Sequence, residues 1–372
     1  MGMAASGTCG ETSNSGGCAC LELRAVMERL ELEKPTTIVF FGGSITWGAT
    51  ATDPLRSSWR ALIELELRHR HPRAPLTAVD AAIGGTPSKL GVFRMDRDVL
   101  PYKPDLCFVE FAVNDWDESD SQETVEGIVR KLRACRPDMA IVLVLIGSNP
   151  TYDQSPSHPL QIELAEHYGL PVIDVFSAVK AKLGDGLSTR DILTDGCHPN
   201  DRGYRLYADI VIERLDALAI QAGKPKAAPS APLTENRYES AHMIELSKLP
   251  GLADWEAGVP SVVGTWFDHT PSRWNDSTVR PVKAGARIEV ERAVTGAGVY
   301  FELVPYGKPL VLKVDDAVHL ELKTSNSLAF SRLQYSFRFL ESPGRRCLAL
   351  EAPEGGPAAA AYLLVTGGEF QP

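Results

Sequence analysis

The chain has 372 residues, and at roughly 100–200 residues per domain this length predicts two or three domains. It carries 38 Lys and Arg against 48 Asp and Glu, a formal charge of −10 with no basic arm, which argues against a nucleic-acid partner. Hydrophobic residues make up 44% of the chain, which excludes disorder of the whole. The longest apolar run, residues 139–147, is shorter than the ~20 residues that span a bilayer, so we expect no membrane partner.

The first 34 residues have neither the basic nor the apolar region of a secretory signal, so we interpret residues 1–34 as an N-terminal extension of a cytoplasmic protein. Seven scattered cysteines indicate reduced thiols. Cys9, Cys18 and Cys20 lie close together, but no second Cys or His pair follows at zinc-site spacing. We therefore expect neither a metal site nor an organic cofactor.

Residues 35–221 alternate short β-branched runs with longer helical patterns, which is typical of βαβ units around a parallel sheet. The closing segment spaces its apolar residues along one helical face. The predicted strands are Thr36–Phe41, Leu76–Ala81, Asp105–Phe111, Met139–Ile146 and Pro171–Val175. The predicted helices are Leu55–His69, Phe93–Leu100, Glu123–Cys135, Leu160–Tyr168 and Asp201–Ile220.

Residues 222–235 are rich in Pro and Ala without a periodic apolar face, which predicts a linker. Residues 236–372 then show short alternating segments separated by Gly, Pro, Asp and Asn, and they predict an antiparallel β-sandwich. The predicted strands of this second domain are Arg287–Arg292, Val299–Val304, Leu310–Val314, Val318–Leu322 and Arg346–Ala352.

Polar residues follow several predicted strands of the first domain, where ligands of open α/β sheets bind. A glycine-rich turn after the first strand carries Ser44, and the turn after the second carries Gly85. The third strand leads to Asn114. Asp195 and His198 lie three residues apart in the loop before the closing helix. Each feature alone also fits an ordinary turn, cap or surface residue, but their joint occurrence favours a catalytic site.

These residue types together supply what acyl transfer requires. A serine such as Ser44 needs a neighbouring base, and histidine, whose unperturbed side chain has a pKa near ~6.5, is the usual one. His198 is the candidate for this base. Asp195 would orient the imidazole. The Ser44 and Gly85 N–H groups and the Asn114 amide would donate to the oxyanion of the tetrahedral intermediate.

The segments GGSIT, the glycine at Gly85, AVND and DGCHPNDRGY resemble, in order and spacing, the four blocks of the SGNH hydrolases, which include the GDSL esterases. The resemblance covers roughly residues 35–220. It implies a flavodoxin-like α/β/α sandwich of about five parallel strands. It also implies Ser44 as nucleophile, His198 as base, Asp195 as its orienting partner, and Gly85 and Asn114 in the oxyanion hole.

The chain departs from the GDSL pattern at two positions, since Gly43 replaces the aspartate of that name and Val113 replaces a glycine often found before Asn-Asp. The remaining pattern resembles the subset associated with carbohydrate O-deacetylation. Trp47 and Trp59 lie in or near the predicted site, where they could stack on sugar rings or belong to the core.

The second domain is similar, over residues 298–316, to the jelly-roll-like β-sandwich appended to some SGNH carbohydrate esterases. Trp266 and Trp274 could form a sugar platform there, although burial in the core is the more common fate of tryptophan.

Three functions remain open from the sequence. The first is a serine esterase that removes O-acetyl groups from carbohydrates, so that its partner is a small or oligosaccharide O-acyl ester. The second is an acyltransferase or a lipid or thioester hydrolase with the same triad. The third is a carbohydrate-binding protein without catalysis, against which the four intact motifs argue.

Overall fold

The first half of the chain forms a parallel sheet of five strands in the order β2-β1-β3-β4-β5. The structure is a computed structural model that describes residues 19–116, 120–151, 155–184, 186–220, 231–260, 275–327 and 332–368. β1 pairs with β2 on one side and β3 on the other, so the carboxyl ends of these strands meet at one edge. The strands are β1 (Thr36–Gly42), β2 (Leu76–Asp80), β3 (Leu106–Glu110), β4 (Ala140–Leu145) and β5 (Val172–Asp174).

Helices cover both faces of the sheet, as the strands' nearly continuous apolar sequences require. The helices are α1 (Ala19–Glu31), α2 (Ser44–Trp47), α3 (Pro54–Ser57), α4 (Trp59–Arg70), α5 (Ser88–Asp98), α6 (Ser121–Cys135), α7 (Ser157–Tyr168), α8 (Val175–Lys182), α9 (Thr189–Ile192) and α10 (Asp201–Ile220). The core on one face draws on α5, α6 and α7, and the core on the other draws on α1, α4, α8 and α10. In the part of the chain that is described, no helix has both the length and the apolar character to cross a membrane.

Several helices differ from the sequence prediction, which has no counterpart of α2, α8 and α9. α1 lies in the segment interpreted as an extension, and its buried Leu23 and Leu30 belong to the core of the first domain. The predicted helix over 55–69 is interrupted at Ser58, whose side chain accepts from the N–H of Ala61 and so starts α4. α5 begins at Ser88, five residues before the predicted start. The prediction began too late because Gly91 weakens the helical pattern in the sequence, whereas in the structure Gly91 makes room for the ring of Phe111.

The second half forms an antiparallel sheet network, which confirms the predicted fold class. The predicted strands at 287–292 and 299–304 are wrong as separate elements, because they are two parts of one strand. That strand pairs along most of its length with a second long strand, and the register shifts between Phe339 and Gly344. The strands are β6 (His242–Glu245), β7 (Trp255–Gly258), β8 (Thr278–Pro281), β9 (Ala286–Pro305), β10 (Leu310–Val314), β11 (Ala317–Leu322), β12 (Ser325–Asn326), β13 (Arg332–Ala352) and β14 (Ala359–Thr366).

The two halves share a hydrophobic core. Phe93 of α5 is fully buried, with its ring 4.9 Å from that of Phe337 and 6.1 Å from that of Tyr238. Tyr300 and Leu364 of the antiparallel sheet belong to the same cluster as the residues of α5 and α6. α5 and α6 therefore contact the parallel sheet on one side and the second domain on the other.

Buried polar contacts fasten the second domain to α6. Lys131 Nζ donates to the carbonyl of Ala241 at 2.6 Å and lies 2.9 Å from Asp96 Oδ1. The carboxylate of Glu126 accepts from the backbone N–H groups of Leu233 and Thr234 at 2.6 and 2.8 Å. The segment that leads into the second domain is thus hydrogen-bonded to the first domain before the antiparallel sheet begins.

We expect the substitution Phe93→Ala to lower the free energy of unfolding by about 3–5 kcal/mol, because it leaves a cavity where the two domains meet. Calorimetry should show one transition shifted to lower temperature. Leu55→Ala is the control, since Leu55 is 74% exposed and its truncation should change the free energy of unfolding by less than about 0.5 kcal/mol. Two transitions, one of them unaffected by Phe93→Ala, would contradict a shared core.

Candidate active site

Ser44 begins the short helix α2 directly after β1. The apolar strand delivers it to the sheet edge, and Gly43, in extended conformation, precedes the helix. The carbonyl of Ser44 accepts from the N–H groups of Gly48 and Ala49, both at 2.9 Å, so the turn is closed on itself. The Ser44 residue is 7% exposed, which leaves a narrow approach to the hydroxyl.

His198 and Asp195 form a hydrogen-bonded chain with this hydroxyl. Ser44 Oγ lies 2.9 Å from His198 Nε2, and His198 Nδ1 lies 2.8 Å from Asp195 Oδ2. The other carboxylate oxygen, Asp195 Oδ1, accepts from the backbone N–H groups of Cys197 and His198, each at 2.7 Å. Burial alone would raise the pKa of Asp195, but the N–H and ring of His198 and the N–H of Cys197 outweigh it and hold that pKa below its ordinary value.

The segment after α2 is fastened to the loop that carries the histidine. Thr50 Oγ1 donates to the carbonyl of Pro199 at 2.8 Å, and Tyr204 Oη donates to the carbonyl of Ala49 at 2.8 Å. The N–H of Thr52 donates to Asp201 Oδ1 at 2.8 Å. These bonds hold together segments about 150 residues apart in the chain. No pattern in the sequence singles out Thr50, and the pattern around Tyr204 indicates only an apolar helical face.

Gly43 and Asn114 lie against each other. A Cβ atom on Gly43 would overlap Asn114 Oδ1, and the carbonyl of Thr86 is within van der Waals reach of the same position. The turns that carry Ser44, Gly85 and Asn114 therefore meet at one point. Gly85 adopts a left-handed φ of 67°, which glycine tolerates without strain, and this directs the turn past Gly43.

Asp115 anchors the turn that presents Asn114. Its Oδ1 accepts from the N–H of Ser88 at 2.8 Å, and Gln161 Nε2 lies 3.4 Å from its Oδ2. Asp115 is 1% exposed, so the position of the neighbouring amide is set by α5 and α7 and not by solvent.

The tryptophans near the site have different surroundings. Trp59 is fully buried, edge-on to Phe40 and Phe108, so it belongs to the core and cannot stack on a sugar. Trp47 is half-buried, three residues after Ser44. Trp116 is 47% exposed and lies two residues after Asn114, a position that the sequence analysis did not single out. Trp266 and Trp274 lie outside the described residues.

Cys197 stands between Asp195 and His198 but does not provide a nucleophile. Burial, together with the negative charges of Asp195 and Glu110, raises the pKa of its thiol to about 12, so the thiolate is scarce at neutral pH. Within the described ranges no group of three or more His, Cys, Asp or Glu side chains is arranged to hold a metal ion. The side chains of Cys9, Cys18 and Cys20 lie outside those ranges.

This arrangement can perform nucleophilic acyl transfer. A serine hydroxyl within hydrogen-bond reach of an imidazole, which a carboxylate orients, is the geometry of an activated nucleophile. The side-chain amide of Asn114 lies on the turn that meets the Ser44 turn, and an amide is one of the donors that an oxyanion can use.

Residues 40–206 match the model of the GDSL-like Lipase/Acylhydrolase family. An acetylxylan esterase of Xylanibacter ruminicola is 25% identical over 146 residues, which cover 31% of this chain and 29% of that protein. The crystal structures of a two-domain esterase (CEX) active on acetylated mannans, alone and co-crystallized with mannopentaose, match with a TM-score of 0.77 and 23% identity. They cover 95% of this chain and 96–97% of theirs, so both domains share that fold.

We expect Gly43→Ala to lower kcat by about 10²-fold or more with little change in KM. The new Cβ displaces Asn114, and the loss of one oxyanion donor costs about 10²–10³ in kcat. Steady-state kinetics should show an equal loss for Asn114→Ala. Gly196→Ala is the control, because a Cβ at that position meets no atom within 4 Å. Wild-type kcat in Gly43→Ala would show that catalysis does not depend on the close contact between Gly43 and Asn114.

Proposed function

Because the domain that contains residues 40–206 belongs to the GDSL-like lipase/acylhydrolase family, we propose that the protein is a serine esterase that removes O-acetyl groups from carbohydrates. The observation that carries this proposal is the unbroken chain from Ser44 Oγ through the His198 ring to Asp195, with contacts of 2.9 and 2.8 Å. It joins a strand-end nucleophile to a base on a distant loop.

In the first half of the reaction, Ser44 Oγ attacks the acetyl carbonyl carbon while His198 Nε2 takes the hydroxyl proton. In the tautomer with its other proton on Nδ1, the ring donates to Asp195, whose depressed pKa keeps it ionised and able to stabilise the imidazolium. The oxyanion accepts from the Ser44 and Gly85 N–H groups and the Asn114 amide.

In the second half, His198 gives its proton to the departing sugar oxygen, and the sugar leaves as an alcohol. Water then attacks the acetyl-serine, His198 takes a proton from it, and acetate is released as Ser44 Oγ recovers a proton. These steps use only groups of the protein and water.

The choice of acetylated carbohydrate as substrate draws on the relatives. One is an acetylxylan esterase, and the two-domain esterase with the same fold acts on acetylated mannans. Trp116 supports the same substrate class, because an exposed indole two residues from Asn114 offers a flat apolar face beside the site. Trp47, half-buried after Ser44, is a second candidate for this contact.

The experiment that tests the activity is acetate release from acetylated manno- and xylo-oligosaccharides, beside p-nitrophenyl esters of increasing chain length. We expect Ser44→Ala to lower kcat by about 10⁴-fold or more and to abolish labelling by a serine-directed phosphonate. Ser247→Ala, in the second domain, is the control that keeps both. Faster turnover of octanoyl than acetyl esters would favour the lipid or acyltransferase alternative.

We expect Trp116→Ala to raise KM for acetylated oligosaccharides by about 2- to 10-fold, the equivalent of an aromatic contact of ~0.5–1.5 kcal/mol. Its kcat/KM for p-nitrophenyl acetate should stay at the wild-type value. Tyr102→Ala is the matched control, because Tyr102 is 48% exposed but precedes β3 and so lies at the opposite edge of the sheet. An equal effect on both substrates would assign Trp116 to the structure of the turn.

A further inference from the structure

A carboxyl group is buried beneath the turn that carries Ser44. Glu110 ends β3 and is fully buried, and its register partner in β1 is Gly42. Side chains alternate along a strand, so Glu110 shares a face with Leu106 and Phe108, which are apolar and packed by α10. A glutamate in this position costs free energy that an apolar residue would not, unless its bonds are needed.

The bonds of Glu110 go to both sides of Ser44. Thr46 Oγ1 donates to Glu110 Oε2 at 2.7 Å, and the carboxyl also faces the backbone N–H of Gly43, which favours its ionised form. Glu110 Oε1 has no hydrogen-bond partner among the described residues. One carboxyl group thus contacts Gly43, the residue before Ser44, and Thr46, two residues after Ser44.

We propose that Glu110 is a positioning residue, which fixes Ser44 in the geometry for attack by holding the N–H of Gly43 and the hydroxyl of Thr46. The inference rests on the proposed function, since it assigns Glu110 a role in the reaction of Ser44. Glu110 touches neither the hydroxyl nor the base directly, so it acts through the backbone of the turn.

The protonation state of Glu110 links this role to pH. Burial raises its pKa to about 7, although the bonds from Thr46 and Gly43 work in the opposite direction. The titratable groups that face it are Cys197, in the loop before α10, and Tyr207, on α10, and both are neutral at pH 7 because their own pKa values are raised.

Two buried arginines lie near the turn. Arg60, on α4, lies 2.9 Å from Asp80 Oδ2 and 3.4 Å from the carbonyl of Trp47. Arg94 lies on the other face of the sheet, over the ring of Phe41, and bonds to Asp98 and to the carbonyl of Gly42. The ionised carboxylate binds N–H and O–H donors more strongly than the acid does. Activity should therefore fall as the pH drops through about 7 and Glu110 is protonated.

Two substitutions distinguish the contribution of Glu110 as a hydrogen-bond acceptor from the contribution of its negative charge. Glu110→Leu removes both bonds, and we expect it to lower kcat for p-nitrophenyl acetate by about 10-fold or more with KM unchanged. Glu110→Gln keeps a neutral acceptor, as the protonated acid does, so its kcat at pH 8 should lie between those of the wild type and Glu110→Leu. It should also lose the part of the acid limb of kcat/KM that the protonation of Glu110 contributes.

The direction of the pKa shift in Thr46→Val provides a second test, which does not require that Glu110→Leu folds. It removes the hydroxyl that stabilises the carboxylate, so the pKa of Glu110 should rise and the acid limb should move to higher pH. Glu126→Gln is the matched control, because this buried carboxylate bonds to Tyr168 and Leu233 and not to the Ser44 turn. Its pH profile should equal that of the wild type.

Wild-type turnover of acetyl esters and its loss in Ser44→Ala test the proposed function alone. With that activity present, a folded Glu110→Leu with wild-type kcat, an unchanged acid limb in Glu110→Gln, or an unshifted limb in Thr46→Val would each overturn the role of Glu110. The predicted loss of kcat, loss of the Glu110 part of the acid limb and upward shift would establish it.

Discussion

The missing side chain of Gly43 is the constraint on which the site depends. Parallel strands end at a common edge, but their turns meet only if the backbones approach closely, and a single Cβ on Gly43 would push Asn114 away. GDSL enzymes carry an aspartate at this place, so the chain departs from that pattern where the contact is tightest. The absence of a Cβ atom at residue 43 therefore allows the Ser44 turn to pack against the side-chain amide of Asn114.

The second requirement is that a loop about 150 residues away lies against the nucleophile turn. The bonds from Thr50 and Tyr204 supply the attachment through backbone carbonyls of the opposite segment. Asp195 bonds both the ring and the backbone N–H of His198 within one loop, so the orientation of the imidazole is set locally. Buried polar bonds of this kind have fixed directions, whereas apolar packing alone would let the loop slide.

Strand positions could be predicted because the parallel strands are mostly apolar runs, and the predicted ends differ from the structure by no more than one residue. The rule for strand ends also selected Ser44, Gly85 and Asn114 as neighbours. The bond of Thr50 depends on a distant backbone carbonyl, which no local pattern records. Glu110 was missed because a single charge within an apolar strand does not reveal its partner, and the join of two predicted strands into β9 depends on pairing with β13.

The core that α5 and α6 share with the antiparallel sheet limits how such proteins can diverge by recombination. A domain joined by an exposed linker can be exchanged as a module, since few contacts cross its boundary. Here an exchange would leave Phe93 and the ammonium group of Lys131 against a foreign surface. Replacement of the second domain would therefore require matching changes on α5 and α6, whose side chains pack against the antiparallel sheet.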